Sequence, residues 1–214
     1  MNFLADVAGR FLNKELLEKI AAIKIGIAGV GGLGSNCAFN LVRSGFMKFS
    51  LIDYDFVSIS NLNRQFYFAD QVGQPKVYAL KDNLLRINPC LELELHQVKL
   101  TKENIKNYFN DCQVVVEAFD SAEGKSMLVA AYINTGRLIV SASGLAGWGD
   151  SDMIKVHRLK KDFYLIGDLE TEVNVIHPPM SPRVNITAAK MADVVLEYVL
   201  KEEEVRIQNP EVAI

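Results

Sequence analysis

From residue 24 onward, short apolar runs of the kind that make buried strands alternate with stretches where apolar residues recur every three to four positions, the spacing of a helix. IKIGIAGV contains the first strand, expected at residues 24–30, and others are expected near 48–53, 91–98, 114–118 and 138–142. Between them the spacing predicts helices near 33–44, 76–88, 102–110 and 123–135, after a short N-terminal helix over 14–22 for which Asn13 is the expected cap. This alternation predicts an α/β fold: a Rossmann-like, doubly wound, mostly parallel sheet.

The rhythm changes at Gly144. GLAGWGDSD is rich in turn formers, and residues 153–159 and 163–166 read as two extra C-terminal strands. Residues 170–183 contain HPPMSPR and are expected to form a crossover loop rather than a regular helix. A loop of that length inside a compact domain is usually functional or mobile. An amphipathic helix follows at 186–201, with Asn185 as its expected cap, and the charged tail KEEEVRIQNPEVAI is expected to fray. No repeat or linker interrupts the pattern, so residues 1–214 are expected to form one domain.

Composition narrows the class. With 214 residues, half of them hydrophobic, the chain can bury a sizeable core. Its formal charge of −3, with acids and bases interspersed, argues against a general nucleic-acid or membrane surface. The opening MNFLADVAGR lacks a basic segment ahead of a sustained apolar one, and no stretch approaches the roughly 18 apolar residues of a membrane span. A cytoplasmic protein is expected. Cys37, Cys90 and Cys112 are scattered, with no C-x-x-C pair, so neither a disulfide framework nor a cysteine-bound zinc is expected.

The candidate chemistry gathers around the first strand. Gly29, Gly31 and Gly34 stand in the G-x-G-x-x-G register, with Gly32 inside the same loop, and Asp53 closes the second strand where a ribose would be held. The helix that begins in this loop offers free N–H groups to a phosphate. The stretch DYDFVSISNLNRQF then sets Asn61, Arg64 and Gln65 just past the second strand, where a dinucleotide enzyme needs no arginine. Lys76 falls in a helical first turn, where a cation opposes the dipole unless an anion compensates it. Asp120 follows the fourth strand, next to the switch in strand order, and a hard carboxylate there suits Mg²⁺ bridging phosphates. Each has a plainer reading: Arg64 as a loop bridge, Lys76 as an ordinary helix lysine, Asp120 as the N-cap of the helix expected at 123.

Four motifs in order, GVGGLG, D-x-D-x-V-x-x-S-N-L-N-R-Q, Gly73-Gln-Pro-Lys76 and Ala118-Phe-Asp120, resemble those of the ThiF/MoeB/HesA family of ubiquitin-activating-enzyme-like adenylyltransferases. The resemblance runs from about Lys24 to Tyr198, and within the family it is nearest to short bacterial ThiF-type proteins of thiamine biosynthesis. It implies ATP- and Mg²⁺-dependent adenylation of the C-terminal carboxylate of a small ubiquitin-like sulfur carrier, ThiS-like or MoaD-like. It also implies roles: Asp53 on the ribose, Asn61 near the phosphates, Arg64 and Lys76 on the phosphates, Asp120 on the metal. Members work as homodimers in which an N-terminal arginine enters the partner's ATP site, and Arg10 is the only arginine before the first strand. The crossover loop would clamp the carrier's tail.

The chain also departs from that pattern. It has no cysteine after Cys112, where many relatives carry a catalytic one, no paired C-x-x-C motifs for zinc, and Lys125 where several have arginine. Other readings remain: a nicotinamide or flavin oxidoreductase, an ATP-using relative resembling the tRNA threonylcarbamoyladenosine dehydratases, or a module that binds nucleotide without turnover.

Overall fold

A computed structural model describes residues 9–208, with side chains through Lys201. Its elements are α1 (Lys14–Ala22), β1 (Lys24–Ala28), α2 (Gly32–Arg43), β2 (Lys48–Ile52), α3 (Lys76–Ile87), β3 (Glu92–His96), β4 (Val114–Glu117), α4 (Ala122–Tyr132), β5 (Leu138–Ala142), β6 (Lys155–Lys160), β7 (Phe163–Gly167) and α5 (Ser181–Gln208). The strands form one seven-stranded sheet in the order β3-β2-β1-β4-β5-β7-β6. Six run parallel and β6 alone runs antiparallel, on the edge beside β7. The fold is α/β and Rossmann-like. Strand order reverses between β1 and β4, and the crevice at their carboxyl ends is where such sheets bind ligands.

The period-two alternation of β1, β4 and β5 splits the core in two. Ile25, Ile27, Val114, Val116, Leu138 and Val140 face α2, α3 and α5, while Ala28, Val115 and Ile139 face α4 and the segment before β4. These strands are buried on both faces, which is why they read as unbroken apolar runs. Asn13 caps α1 as expected, accepting from Leu16 N at 2.9 Å.

Two expectations fail. Residues 102–110 form only a single 3₁₀ turn, Ile105–Asn107, in place of a helix. Asn104 competes with the helical ladder: its side chain accepts from Thr101 N at 2.8 Å and donates to Lys99 O at 3.0 Å. Phe109 then adopts φ +60°, and its ring lies where a Cβ on Gly26 would meet Phe109 Cδ1 at 2.3 Å. The carbonyls a helix would have used accept instead from Tyr132 Oη and from the Arg137 guanidinium.

The second failure is at the C-terminal helix, which starts at Ser181 rather than Ile186. Pro182 falls in its first turn, where a missing N–H costs nothing, so the crossover loop ends before residue 181 and Arg183 is helical. Asn185 is therefore inside the helix and does not cap it; its Nδ2 donates to Ser181 Oγ at 2.9 Å. At the other end the helix continues through the charged residues to Gln208, and residues 209–214 of the expected tail lie outside the described residues. No described helix is long and apolar enough to cross a membrane.

Candidate active site

The glycine loop joins β1 to α2 across the reversal point. Gly29 takes φ +87°, and a Cβ there would lie 2.9 Å from Ala118 O, so the turn fits only against the end of β4. A Cβ on Gly34 would stand 1.9 Å from Gly29 O, so the first turn of α2 packs directly on the loop. Gly31 differs: the nearest atom to an added Cβ is Gln65 Nε2 at 3.7 Å, and the space above it is open. Gly31 also stands at the N-cap of α2 without a side-chain hydrogen bond, leaving the helix's first N–H groups to an outside acceptor. Gln65 Oε1, beside this space, is buried without a partner. An open cradle and an uncapped helix together fit an anionic ligand such as a nucleotide phosphate, whereas Gln65 Oε1, an acceptor, calls for a donor such as a hydroxyl.

Asp53 follows β2 and is buried. Its Oδ2 accepts from Val30 N at 2.8 Å and its Oδ1 from Asp55 N at 2.9 Å, fixing the carboxylate against the glycine loop. Burial pushes its pKa upward, against the pull of Lys76.

Lys76 is the first residue of α3 and is itself buried. The anion expected to offset it is internal: Lys76 Nζ donates to Asp55 Oδ2 at 2.9 Å, and Lys76 N donates to Asp55 O at 2.9 Å.

Arg64 lies half-buried over the start of α2. A Cβ on Gly32 would sit 3.7 Å from Arg64 Cγ and 3.1 Å from Val184 Cγ1. Its Nη1 donates to Ser60 O at 2.9 Å and to Asn63 Oδ1 at 2.8 Å. Burial pushes the guanidinium pKa down and the nearby Asp120 carboxylate draws it back up, so these two motifs, 56 positions apart in the numbering, share one electrostatic neighbourhood.

Asp120 is exposed, just past β4. The cap of α4 is Ser121, whose Oγ accepts from Gly124 N at 3.2 Å, so the plainer reading of Asp120 as that cap does not hold. One or two carboxylates, completed by phosphate oxygens, are the usual protein contribution to a Mg²⁺ site, and an exposed carboxylate in the electrostatic neighbourhood of Arg64 fits it. Among the described residues no group of three or more His, Cys, Asp or Glu side chains stands ready to hold a metal.

Asn61 ends a 3₁₀ turn, Ile59–Asn61, and its Oδ1 accepts from Ser58 N at 3.1 Å, a local capping task that leaves its amide nitrogen for other partners. Arg10 lies exposed in the turn before α1.

Several residues that position the site carry no motif weight in the sequence. Ser35 Oγ donates to Gly31 O at 2.6 Å and accepts from Phe66 N at 3.0 Å. Asn36 Nδ2 donates to Gly32 O at 2.7 Å and Arg64 O at 2.8 Å. Together they bind the arginine segment to α2; the only signal for them was their place directly after the glycines. Glu117, fully buried at the end of β4, accepts from Phe119 N at 2.7 Å, from Lys125 Nζ at 3.2 Å and from Ser141 Oγ. Lys125 is thus bound to Glu117 beneath the turn that carries Asp120.

The sheet and the uncapped glycine cradle at its reversal point, with Asp53 fixed against the loop and Arg64 over the start of α2, are those of a nucleotide-binding α/β protein. A match to the ThiF family spans residues 4–210, and the chain belongs to that family of ATP-using, ubiquitin-activating-enzyme-like adenylyltransferases. It is 32% identical over 152 residues to the tRNA threonylcarbamoyladenosine dehydratase of Bacillus subtilis, which covers 70% of this chain and 60% of that one. It is 40% identical over 94 residues to ubiquitin-like modifier-activating enzyme 5 of Caenorhabditis elegans, covering 44% of this chain and 22% of that one. The chain therefore spans less than two thirds of these curated relatives. The structure of the Escherichia coli tRNA threonylcarbamoyladenosine dehydratase in complex with ATP has the same fold, with a TM-score of 0.79, 24% identity and 95% of each chain covered.

Proposed function

We propose that this chain adenylates the C-terminal glycine carboxylate of a small ubiquitin-like sulfur-carrier protein, ThiS-like or MoaD-like, with ATP and Mg²⁺. The observation that supports the reading is Arg64, packed over Gly32 at the start of α2 with Asp120 in its electrostatic neighbourhood, beside the reversal of strand order. In the reaction a carboxylate oxygen bonds to the α-phosphorus of ATP, the bond from that phosphorus to the bridging oxygen breaks, and its electron pair leaves with pyrophosphate. No base is needed, because the nucleophile arrives ionised.

The roles follow from charge and position. Asp53 accepts from the ribose hydroxyls, and the first N–H groups of α2, with Asn61, meet the phosphates. Arg64 and Lys76 oppose the charge that grows on the leaving oxygens, a fixed stabilisation of the kind that dominates such steps. Asp120 would hold Mg²⁺, which neutralises phosphate charge when bound. In a two-fold dimer, Arg10 of each protomer would reach the other's site. The whole unit acts as one domain.

A second reading has its own support: the Bacillus subtilis relative, similar over 70% of this chain, is a tRNA threonylcarbamoyladenosine dehydratase. Pyrophosphate exchange into ATP separates the two. Exchange is expected with a purified ThiS-like or MoaD-like carrier ending in glycine and is expected to vanish when that terminus is amidated. Exchange with threonylcarbamoyladenosine-bearing tRNA alone would overturn the carrier reading.

A further inference from the structure

The return end of the crossover loop touches the phosphate site twice. Val184, in the first turn of α5, packs against the backbone of Gly32, where a Cβ would lie 3.1 Å from its Cγ1. The second contact runs through Asn63. Its Oδ1 accepts from Arg64 Nη1 at 2.8 Å, while its Nδ2 donates to Pro179 O at 3.2 Å. The polarity of this bridge is fixed at both ends, since a guanidinium can only donate and a carbonyl only accept; flipping the amide would break both bonds.

The loop is anchored so that movement at one point is felt at the other. At its base Asp168 and Arg183, both buried, form an ion pair. Asp168 also accepts from Glu170 N at 2.9 Å and Thr171 N at 2.8 Å, and Arg183 Nη1 donates to Gly149 O at 2.8 Å. Nearer the tip, Gly147 N donates to Pro178 O at 2.9 Å. Between these ties Val173, Val175 and Ile176 stand exposed. The loop is thus held firmly where it leaves β7 and enters α5, and Pro179 lies between that base and the free tip.

We infer that Asn63 is a positioning residue that couples the crossover loop to Arg64, so that ATP on the phosphate site and the seating of the loop favour one another. The inference rests on the adenylation reading, in which Arg64 meets the phosphates. When phosphate oxygens draw Arg64, the shared amide of Asn63 settles with it and keeps its donor on Pro179; a loop that carries Pro179 away from Asn63 removes that restraint from the guanidinium. Coupling of this kind is reciprocal, so whatever substrate closes the loop also tightens ATP binding.

The test measures ATP affinity by calorimetry and backbone hydrogen exchange across residues 169–180 in the full chain, with and without ATP–Mg²⁺. Wild type is expected to bind ATP and to show several-fold slower exchange in the loop when it does. Asn63→Ala should bind ATP within about tenfold of wild type, the scale of one lost hydrogen bond, and show no ATP-dependent slowing. Asn63→Asp keeps the acceptor for Arg64 but loses the donor to Pro179, and should behave likewise. A merely structural Asn63 would change exchange equally with and without ATP. Full ATP-dependent slowing in both variants overturns the coupling alone, whereas failure of the wild type to bind ATP overturns the adenylation reading as well.

Discussion

Lys76 Nζ is held by Asp55, at 2.9 Å from Oδ2, while Asp53, two residues earlier, turns its carboxylate to the glycine loop. The two acids of one D-x-D motif therefore do different work: one faces the expected ribose position, the other keeps a buried ammonium neutralised before any phosphate arrives.

Asp55→Asn strips that counter-charge from Lys76. Because Asp55 is 44% exposed, the loss is that of a partly solvated pair, about 1–2 kcal/mol, or a few degrees of melting temperature. ATP–Mg²⁺ should then raise the melting temperature more in the variant than in wild type, since its phosphates supply the missing anion. Thermal melts with and without nucleotide check both halves; equal ATP-induced shifts would show that Lys76 does not meet the phosphates.

Arg64→Ala, Lys76→Ala and Asp120→Ala should each lower carrier-dependent pyrophosphate exchange by on the order of 10² or more, the loss seen when a fixed transition-state contact is removed. Arg64→Ala and Asp120→Ala should leave the fold intact, because neither side chain is buried in the core. Wild-type exchange in these variants would reassign the cradle to another ligand.

Glu117 sets a pH dependence. Burial pushes its carboxyl above the ordinary glutamate range, with Lys125 the first of the contacts that pull it back. A raised folded-state pKa contributes stability that is complete at low pH and is lost as pH rises through that value. Relative to Glu117→Gln, which cannot titrate, wild type should lose stability on going from acid to neutral pH. Paired melts across that range test the sign; a difference independent of pH would mean the carboxyl titrates normally.

The two buried thiols are poor candidates for covalent work. Burial pushes Cys37 and Cys112 up to about 12, far from the thiolate a nucleophile requires. Replacing Cys37, Cys90 and Cys112 together should leave adenylation in place, with packing losses of roughly 1–3 kcal/mol. Non-reducing mass spectrometry of enzyme, ATP and carrier should find carrier adenylate and no carrier joined to enzyme.

A shared site can be tested by mixing. Arg10→Ala and Asp120→Ala protomers, each inactive alone, should recover activity together if each site draws Arg10 from its partner. A fully active monomer in solution excludes that arrangement.

Much of this was legible because it is written in local chemistry. The glycine register shows because Gly34 must pack on Gly29, its near neighbour in the chain, a constraint local to the loop, even though Gly29 itself is also pressed by distant Ala118. The buried strands announce themselves as apolar runs. What escaped depended on distant partners. Nothing near residues 102–110 reveals that Tyr132 and Arg137 will take their carbonyls, and nothing beside Glu117 shows that Ser141 and Lys125 converge on it. The start of α5 was misplaced for another reason: Pro182 was read as a breaker, although in a first turn it is tolerated.

Tyr67 lies buried within the excursion between β2 and α3, and its hydroxyl reaches Val30 O at 2.7 Å and Lys76 O at 3.3 Å. One phenol thereby rivets the rim of the glycine loop to the first residue of α3. The spacing between the starts of α2 and α3 is then set across this short strut and not by the length of chain between them. Exposed parts of the excursion, such as Asp70 and Val72, can change in sequence or size without altering the gauge of the site, whereas Tyr67→Phe would leave every charge in place and let the two halves drift.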